Sequence, residues 1–463
     1  MQLLLGETGF SIKEIEGGFI MVSGGTGVIG NPSIFYTVID NNGAIQNLEQ
    51  YGALDQGWFA GWGGSLDIKD EKTILCGSVD YNDSPSQFLA VSTDLNGDTL
   101  WTKILSSAEG LDEIGSCSIF TSDGGLLMCG SSYDFETHTK GLVIKTDSLG
   151  NEQWRSYHSS DDLAILYQSL SEVPGVGYYV GTTRSSSFDY LDMGVTFVDY
   201  NGVIGESFWV DNEYHDSAAN VFATSDGNIL QGGEFSINDG SAGHAFLRKL
   251  TPDGDVLWSN IYGPFGSQNF FSTIAETAEG DYVAAGSARS PDLDLSIEGL
   301  ICKVSQEGDS LWYRHYVNIS GDLCLFWDME IADNGDITCI GATIGNAELQ
   351  LSQDTWVVHL DEHGCLVPGC HVGIEEFEES DTYFSIGPVP AQDQFSIFMG
   401  RVPNKGLKVQ IISPNGQSVD SFWAHTRPTT YIVDCSSYTA GIYTVVALSE
   451  NGKVLQSERL IVQ

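Results

Sequence analysis

The chain has 463 residues and carries 63 Asp and Glu against 19 Lys and Arg, which gives a formal net charge of −44 at pH 7. This excess of acid repels phosphate backbones and makes nucleic acid a poor partner, whereas it attracts divalent cations or basic surfaces, or serves only to keep the protein soluble. No apolar run approaches the ~20 residues that a membrane-crossing helix needs, so we expect no membrane span.

A glycine recurs in the same sequence frame along the first 372 residues, at intervals of 52 to 56 residues. The framed glycines are Gly43, Gly97, Gly150, Gly202, Gly254, Gly308 and Gly364. A second series runs in phase with the first and closes short apolar runs that open with a turn. Its members are Gly24, Gly77, Gly130, Gly181, Gly233, Gly286 and Gly341.

Each copy contains four apolar runs typical of strands, and the first two form a hairpin. Four-stranded sheets of this kind cannot each bury both faces alone, so we predict that residues 1–372 form a seven-bladed β-propeller of four-stranded blades. A linear solenoid is the alternative. We expect Gln2–Leu5 to supply the fourth strand of the last blade; alternatively, the residues after Gly364 supply it.

In four copies a tryptophan follows the framed glycine by four residues, at Trp101, Trp154, Trp258 and Trp312. We predict that these rings pack over the neighbouring blade as structural fasteners, each contributing about 2 to 3 kcal/mol. The spacing resembles the docking motif of quinoprotein-type propellers, and the resemblance implies only this packing role. It also resembles the sialidase Asp-box loosely, but an extra residue on each side of the glycine makes sialidase activity a poor expectation.

Calcium is the one cofactor that the turns suggest, because it prefers several closely spaced oxygen ligands. We take Asp94, Asn96 and Asp98 as a candidate calcium site, although Asp and Asn in a turn also serve to bond the backbone. Asp80, Asn82 and Asp83 could supply such ligands as well. His359, Asp361 and His363 alternate and could present three metal ligands on one strand face, but Asp361 is in register with Asp94, so a turn role is favoured.

Nine cysteines leave at least one outside intramolecular pairs. Cys365 and Cys370 are the best disulfide candidate, at the end of the repeats. Cys117 and Cys129 are nearly equidistant from a turn, so they either face each other as a disulfide or lie side by side as buried thiols.

The sequence contains no GxSxG elbow, HExxH motif or phosphate loop, so we nominate no catalytic residue and favour a protein that is not an enzyme. Pairs of carboxylates for glycoside hydrolysis have no sequence signature, and that activity stays open.

The composition changes near residue 373. Residues 373–383 form an acidic stretch typical of a solvated linker. Residues 384–463 contain short alternating strands and Asn-Gly turns, which predict a small Ig-like β-sandwich.

This C-terminal segment resembles the type A sorting domain of cargo of the Bacteroidetes type IX secretion system. The residues that carry the resemblance are Pro388, Pro390, Gly441, Tyr443, Gly452 and Lys453, followed by a terminal basic-apolar strand. The entry departs from the family pattern, which has Tyr-Pro-Asn-Pro where this chain has Ile386-Gly-Pro-Val-Pro390. The resemblance implies the secretion machinery as a partner, translocation across the outer membrane, removal of the domain, and release or attachment to the cell surface.

We therefore expect a secreted or surface-exposed propeller that acts as a binding or adhesion module for a glycan or protein. The alternatives are a secreted carbohydrate-active hydrolase with carboxylates at the channel mouth, and an envelope structural protein without a ligand. Such cargo is expected to begin with an export signal, and Met1–Gly6 has neither a basic start nor a long apolar core, so either the start is truncated or the chain is a fragment.

Overall fold

The computed structural model describes most of the chain, and all regular structure in the described residues is β-strand. The described ranges are 5–26, 30–81, 84–107, 110–133, 139–187, 190–210, 216–236, 243–263, 268–289, 297–318, 321–345, 353–366, 383–387, 389–399, 407–414, 417–424, 430–449 and 454–462. Over these ranges no helix has the length and apolar character to cross a membrane. The chain divides into two compact units, Met1–Gly364 and Cys365–Gln463. The predicted linker, apart from Tyr383, lies outside the described residues.

The first unit is a succession of antiparallel sheets in which the strands follow chain order. The first three sheets are β1 (Leu5–Ile15), β2 (Gly18–Thr26), β3 (Pro32–Asp40) and β4 (Ile45–Tyr51); β5 (Gln56–Ala60), β6 (Leu66–Lys69), β7 (Lys72–Tyr81), β8 (Ser84–Asp94) and β9 (Thr99–Leu105); and β10 (Asp112–Phe120), β11 (Leu126–Tyr133), β12 (Lys140–Thr146) and β13 (Glu152–His158). The next two are β14 (Ala164–Val173), β15 (Gly177–Ser187), β16 (Tyr190–Val198) and β17 (Ile204–Trp209); and β18 (Ser217–Ala223), β19 (Ile229–Phe235), β20 (His244–Leu250) and β21 (Val256–Tyr262).

The remaining strands of this unit form two groups that are joined by a single parallel pair, Ile297 with Leu323. The groups are β22 (Asn269–Glu276), β23 (Tyr282–Arg289), β24 (Ile297–Val304) and β25 (Ser310–Tyr316), and then β26 (Gly321–Ile331), β27 (Ile337–Gly345) and β28 (Gln353–Leu360). The predicted all-β fold with repeated four-stranded sheets is thus confirmed.

The opening strand of each sheet contacts the opening strand of the next sheet, and in the second sheet β5 and β6 together count as the opening strand. The contacts run from β1 to β6, β10, β14, β18, β22 and β26, and from β26 back to β1. Apolar side chains fill the space between neighbouring sheets, as where Cys76 and Phe88 of one sheet pack with Leu126 and Met128 of the next. The opening strands therefore make a closed circuit, and the sheets pack face to face around it.

The framed glycines lie in turns and have positive φ angles, such as +74° at Gly150 and +90° at Gly308. In four of these turns, the framed glycine packs against the ring of a tryptophan from the preceding sheet. A Cβ atom added at Gly150, Gly202, Gly308 or Gly364 would lie 2.7 to 2.8 Å from Trp101, Trp154, Trp258 or Trp312, respectively. Glycine is needed at these positions both for its backbone angle and because the ring occupies the space of a side chain.

The first and last sheets of this unit are linked through β1 and β26. Ser11 Oγ donates to Asp328 at 2.5 Å, and the backbone N–H of Ile12 donates to the same carboxylate at 3.1 Å. The expectation that Gln2–Leu5 belong to the last sheet is wrong for Leu5, which begins β1 and pairs with Thr26. The strand extends far enough toward the N-terminus to include it, and residues 2–4 lie outside the described residues.

The second unit contains two sheets around one apolar core. The strands are β29 (Phe384–Gly387), β30 (Gln394–Met399) and β33 (Thr430–Asp434) in one sheet, and β32 (Ser418–Ala424), β31 (Leu407–Ile412), β34 (Gly441–Leu448) and β35 (Val454–Val462) in the other. Phe395 of the first sheet and Val409 and Tyr443 of the second belong to the same buried cluster. This arrangement is a small β-sandwich.

Candidate ligand site on the opening strands

The opening strands of the first unit share a β-bulge, in which one extra residue opposes the neighbouring strand. The singly bulged residues are Phe10, Ser116, Gln168, Ser272 and Trp327. A bulge re-aims a side chain and commonly occurs next to functional sites. It also explains members of the second glycine series, because a Cβ atom at Gly130 or Gly341 would lie only 1.9 or 1.7 Å from a carbonyl oxygen of the bulged strand.

The second sheet replaces the single bulged residue with a loop between β5 and β6. Gly61 N–H donates to the carbonyl of Cys76 at 2.9 Å, and Cys76 N–H donates to the carbonyl of Ser65 at 3.0 Å. Gly61 and Ser65 are therefore both hydrogen-bonded to Cys76 of β7, as residues of a paired strand would be. Residues 62–64, which lie between them, project from the sheet. The projecting side chain is that of Trp62.

The backbone of this loop packs directly on two other opening strands. A Cβ atom at Gly61 would lie 2.3 Å from the carbonyl oxygen of Ser116, and one at Gly63 would lie 2.2 Å from that of Trp327. Gly64 has a φ angle of +78° and accepts a hydrogen bond from Ser118 N–H at 3.1 Å. Only glycine fits these approaches, so the backbone of the loop packs closely on β10 and β26.

Trp62 stands beside two bulged aromatic residues, and we call Phe10, Trp62 and Trp327 the aromatic cluster. The ring centroids of Trp62 and Trp327 are 5.3 Å apart with an interplanar angle of 63°, and those of Phe10 and Trp62 are 5.9 Å apart at 78°. Despite these contacts, Trp62 is 54% exposed. The Nε1 atom of Trp327 is buried and has no hydrogen-bond partner in the described part of the chain.

Charged residues lie three to five positions further along the same strands, around Lys13. Lys13 Nζ is 2.9 Å from Glu330, and burial alone would lower the pKa of this lysine, but Glu330, Asp328 and Asp67 outweigh burial and raise it. Burial raises the pKa of Glu330 and of Asp67, and Lys13 partly offsets this rise in both. Asp67 also accepts the N–H of Phe120 at 2.8 Å. These carboxylates therefore hold opening strands together.

The proposed calcium residues form a blade turn. One carboxylate oxygen of Asp94 accepts the N–H groups of Asn96 and Asp98 at 2.9 and 3.0 Å. Among the described residues no group of three or more His, Cys, Asp or Glu is placed to hold a metal ion. The calcium site stays a prediction, and Asn82 and Asp83 of the second candidate group lie outside the described residues. In the third group, Asp361 accepts the N–H of His363 at 3.0 Å.

The cysteines fall into two kinds. Cys365 is disulfide-bonded, whereas its predicted partner Cys370 lies outside the described residues. Cys117 and Cys129 are opposite each other in β10 and β11, and both are free and buried. Of the two arrangements that the sequence left open for this pair, the structure has the buried thiols.

The residues of the sorting-domain motif that are described lie in or beside the sandwich core. Tyr443 is buried, donates from its hydroxyl to the carbonyl of Thr439 at 2.9 Å and stacks on Tyr438. Pro390 precedes Ala391, whose N–H donates to the carbonyl of Ile461 in the terminal strand at 2.7 Å. Pro388, Gly452 and Lys453 lie outside the described residues, and Gly441 begins β34.

Sequence reasoning missed the aromatic cluster. Phe10, Trp62 and Trp327 stand outside the repeated glycine-tryptophan frame, and nothing in the sequence brings them together. The available signal was the tetrapeptide Gly61-Trp-Gly-Gly64, where a large ring between glycines indicates a close backbone approach.

Comparison with known proteins identifies the second unit. Residues 385–463 match the family model described as the secretion system C-terminal sorting domain. The predicted resemblance to type IX secretion cargo is thereby confirmed. No curated protein sequence matches the chain.

Solved structures resemble the chain at low identity. A europium-containing methanol dehydrogenase is 10% identical over 73% of this chain and 78% of its own, with a TM-score of 0.40. A puromycin-hydrolysing peptidase of Mycobacterium tuberculosis is 11% identical over 86% of this chain and 58% of its own, with a TM-score of 0.48. An α-L-arabinanase of Penicillium chrysogenum, complexed with arabinobiose, is 9% identical over 78% of this chain and 94% of its own, with a TM-score of 0.40. All three TM-scores lie below 0.5.

Proposed function

We propose that this protein is an exported binding module, in which residues 1–364 form a closed seven-bladed propeller and the C-terminal sandwich directs secretion. The sorting domain at residues 385–463 makes it cargo for the secretion machinery, which implies a secreted or cell-surface location. The observation that carries the binding function is the aromatic cluster, with a half-exposed Trp62 on a loop fixed by glycines.

The closed propeller is supported by the circuit of opening strands. Contacts link β1 through five intervening opening strands to β26 and then back to β1. Ser11 and Asp328 bond the first strand to the last group of strands. A linear solenoid would leave the first and last sheets apart, so it does not account for these contacts.

Binding is favoured over hydrolysis by the state of the nearest carboxylates. Asp328 accepts hydrogen bonds from Ser11 and Ile12, and Glu330 is paired with Lys13. A carboxylate that serves in hydrolysis must approach the scissile bond. These groups are instead engaged in joining strands, whereas the exposed chemical surface beside them is aromatic.

A glycan array tests this function with the full chain, in buffer with calcium and in buffer with a chelator. We expect retention on a limited set of glycans, and loss on chelation would point to a calcium-dependent site. An array that stays blank, together with no retention of basic or neutral peptides, would contradict a binding function and leave the structural protein as the better explanation. Release of reducing ends from a bound glycan would indicate the hydrolase instead.

A further inference from the structure

We infer that the outer edge of β28 binds one further extended strand, which completes the last sheet of the first unit and lays an aromatic ring over Gly43. The occupant is the segment of polypeptide that leads into β1. This inference rests on the closed propeller of the proposed function and does not depend on the aromatic cluster. It is carried by the exposure of β28, the course of the chain after Gly364 and the surroundings of Gly43.

β28 is the third strand of its sheet but has the exposure of an edge strand. In the other sheets the third strand lies between two partners, and the residue that stands seven positions before the framed glycine is completely buried. These residues are Tyr36, Ala90, Val143, Val195, Leu247 and Ile301. The equivalent Val357 of β28 is only partly buried, and Asp354 and His359 of the same strand are exposed. Among the described residues no strand pairs with β28 on the side away from β27.

The chain after Gly364 does not begin a fourth strand. In the other six sheets the fourth strand begins two residues after the framed glycine, as at Ser310 after Gly308. The equivalent residue here is Leu366, which is 64% exposed and belongs to no strand. Pro368 stands where four of the sheets have tryptophan, and proline has no N–H to offer a neighbouring strand. The sequence after Gly364 is therefore unsuited to pair with β28.

Gly43 differs from the other framed glycines in its surroundings. A Cβ atom at Gly308 would lie 2.7 Å from Trp258 of the preceding sheet, and one at Gly254 would lie 2.2 Å from Phe208. A Cβ atom at Gly43 would meet no atom of the described residues within 4 Å, and Gly43 is exposed. The sheet that precedes Gly43 in the circuit is that of β26, β27 and β28. The open space over Gly43 is thus where a ring from the fourth strand of that sheet would lie.

The other fourth strands define the chemistry of the occupant. In β21, Trp258 Nε1 donates to the carbonyl of Gln306 at 2.9 Å, and the hydroxyl of Tyr262 donates to the carbonyl of Gly308 at 2.8 Å. The edge of β28 therefore fits an antiparallel strand of 7 residues, like β21, with an aromatic ring over Gly43. A hydroxyl four residues after that ring would reach the carbonyl of Gly43.

The direction of the chain identifies where this strand comes from. In the first unit each fourth strand leads into the opening strand of the next sheet. Four residues separate Tyr316 of β25 from Gly321 of β26, and the other connections are at least as long. The sheet that follows β28 in the circuit opens with β1, which begins at Leu5. The strand would thus directly precede Met1 in a longer form of the polypeptide, and a covalently joined strand pairs at a higher effective concentration than one from a separate partner.

The experiment adds a copy of the β25 sequence, Ser310–Tyr316, directly before Met1 of the full chain. Residues 1–4 then take the place of the four residues that follow β25. Hydrogen exchange read by mass spectrometry compares the 463-residue chain with the extended chain. We expect the amides of β28 and of the turn at Gly43 to exchange at least about tenfold more slowly in the extended chain, because a paired edge is protected. An extension of the same residues in scrambled order is the matched control and should change neither segment.

G43A tests where the added ring lies. In the 463-residue chain the new Cβ atom meets open space, so G43A should leave the exchange of β28 unchanged. In the extended chain it would crowd the added tryptophan, as a Cβ atom at Gly308 would crowd Trp258, and the protection of β28 should fall by about threefold or more. With alanine in place of the added tryptophan, G43A should have no further effect.

The outcomes separate this inference from the proposed function. Slower exchange that requires both the native order of the extension and Gly43 supports the inference, whereas exchange of β28 that the extension leaves unchanged overturns it. Slow exchange of β28 already in the 463-residue chain also overturns it, and light scattering then assigns the covering strand to a second copy if the protein is a dimer and to the same chain if it is a monomer. Retention on the glycan array reports on the aromatic cluster and not on β28. A lack of energetic coupling between Ser11 and Asp328 would contradict the closed propeller itself.

Discussion

At the scale of single residues, the repeat is explained by one contact between neighbouring sheets. Trp258 lies over the turn of the next sheet and donates from Nε1 to the carbonyl of Gln306 at 2.9 Å. Gly308 in that turn provides the space, since a Cβ atom there would lie 2.7 Å from the ring. Glycine and tryptophan therefore recur together because each fits a partner in the adjacent copy.

Replacing Gly308 by alanine separates the two reasons for glycine at this turn. Gly308 and Gly17 have φ angles of +90° and +85°, but a Cβ atom at Gly17 meets nothing within 4 Å. Both G308A and G17A should cost about 1 kcal/mol for the backbone angle, and G308A about 1 to 3 kcal/mol more for crowding the ring. Chemical denaturation measures both values.

The control for this prediction is the W258A background. Without the ring, most of the excess cost of G308A over G17A should vanish, and the remainder is due to Asn260 Nδ2, which would lie 2.8 Å from the added Cβ atom. If the whole excess cost of G308A survives in W258A, the ring is not what excludes a side chain, and the predicted fastener role of Trp258 is wrong.

The ion pair of Asp226 with Lys249 makes stability depend on pH. Burial raises the pKa of Asp226, but hydrogen bonds from Lys249 at 2.6 Å and Thr224 at 2.6 Å outweigh burial and hold it well below its ordinary value of 3.8. A carboxyl with a lowered pKa in the folded state stabilises the protein above pH ~4, and this stability is lost as the pH falls further. The D226N variant should therefore lose less stability than the wild type between pH 5 and pH 2.

Urea midpoints measured across this range test the claim. The side chain of Asp226 is 49% exposed, so the difference should stay below about 1 kcal/mol. Asp123, which pairs with Lys145 and also has a lowered pKa, offers an independent copy of the same arrangement, and D123N should behave alike. Parallel curves for wild type and both variants would show that these pairs do not cause the acid dependence.

At the scale of elements, sequence reasoning found the strands but not the bulges. A bulge depends on which residue of the partner strand lies opposite, and the second glycine series showed only that a close approach exists. The loop of Trp62 also leaves the repeat spacing unchanged, so the spacing gives no sign of an insertion. The interval is 53 residues both from Gly24 to Gly77 and from Gly77 to Gly130. The added loop is partly offset by a two-residue turn, Asp70–Glu71, where the next sheet has a five-residue turn.

The hydrogen bonds between β1 and β26 should stabilise the closed circuit of opening strands. Asp328 is buried and accepts hydrogen bonds from Ser11 Oγ and from the N–H of Ile12. D328A leaves both donors buried without this acceptor, so we expect it to lower the free energy of unfolding by about 2 to 4 kcal/mol. The exposed Asp161 is the control, and D161A should stay within about 0.5 kcal/mol of the wild type.

A double-mutant cycle of S11A and D328A tests whether the loss arises at the link itself. A coupling energy of about 1 to 2 kcal/mol is expected, because the two side chains share a hydrogen bond across the closure. Additive effects would mean that Asp328 acts through its own strand and that the first and last sheets are held together by other contacts.

At the scale of the whole molecule, the two units differ in how readily their sequence reveals their use. The sorting domain is recognised from a few residues at fixed order near the chain end, since its role depends on a shared partner. The candidate ligand site consists of side chains that lie far apart in sequence, Phe10, Trp62 and Trp327. Architecture and destination were thus predictable from sequence, whereas the site appears only when the first and last sheets meet.

The C-terminal sandwich should be required for export in a bacterium that has a type IX secretion system. Tyr443 is 3% exposed in the core of the sandwich, and its neighbour Ile442 is 55% exposed on the same strand. Removing residues 384–463 should keep the protein inside the cell envelope, because the part read by the machinery is gone. Y443A should also reduce export, since it leaves a cavity in a small core at a cost of about 3 kcal/mol or more.

Fractionation followed by immunoblotting measures the share of protein outside the cell. I442A is the matched control and should be exported like the wild type unless the machinery reads that face of β34. Normal export of the truncated chain would contradict the role of the sandwich, whereas normal export of Y443A alone would mean that the machinery tolerates a loosened core. Because the two units are separately compact, the truncated protein should keep its glycan binding while it loses its export, and that combination distinguishes a lost address from a lost fold.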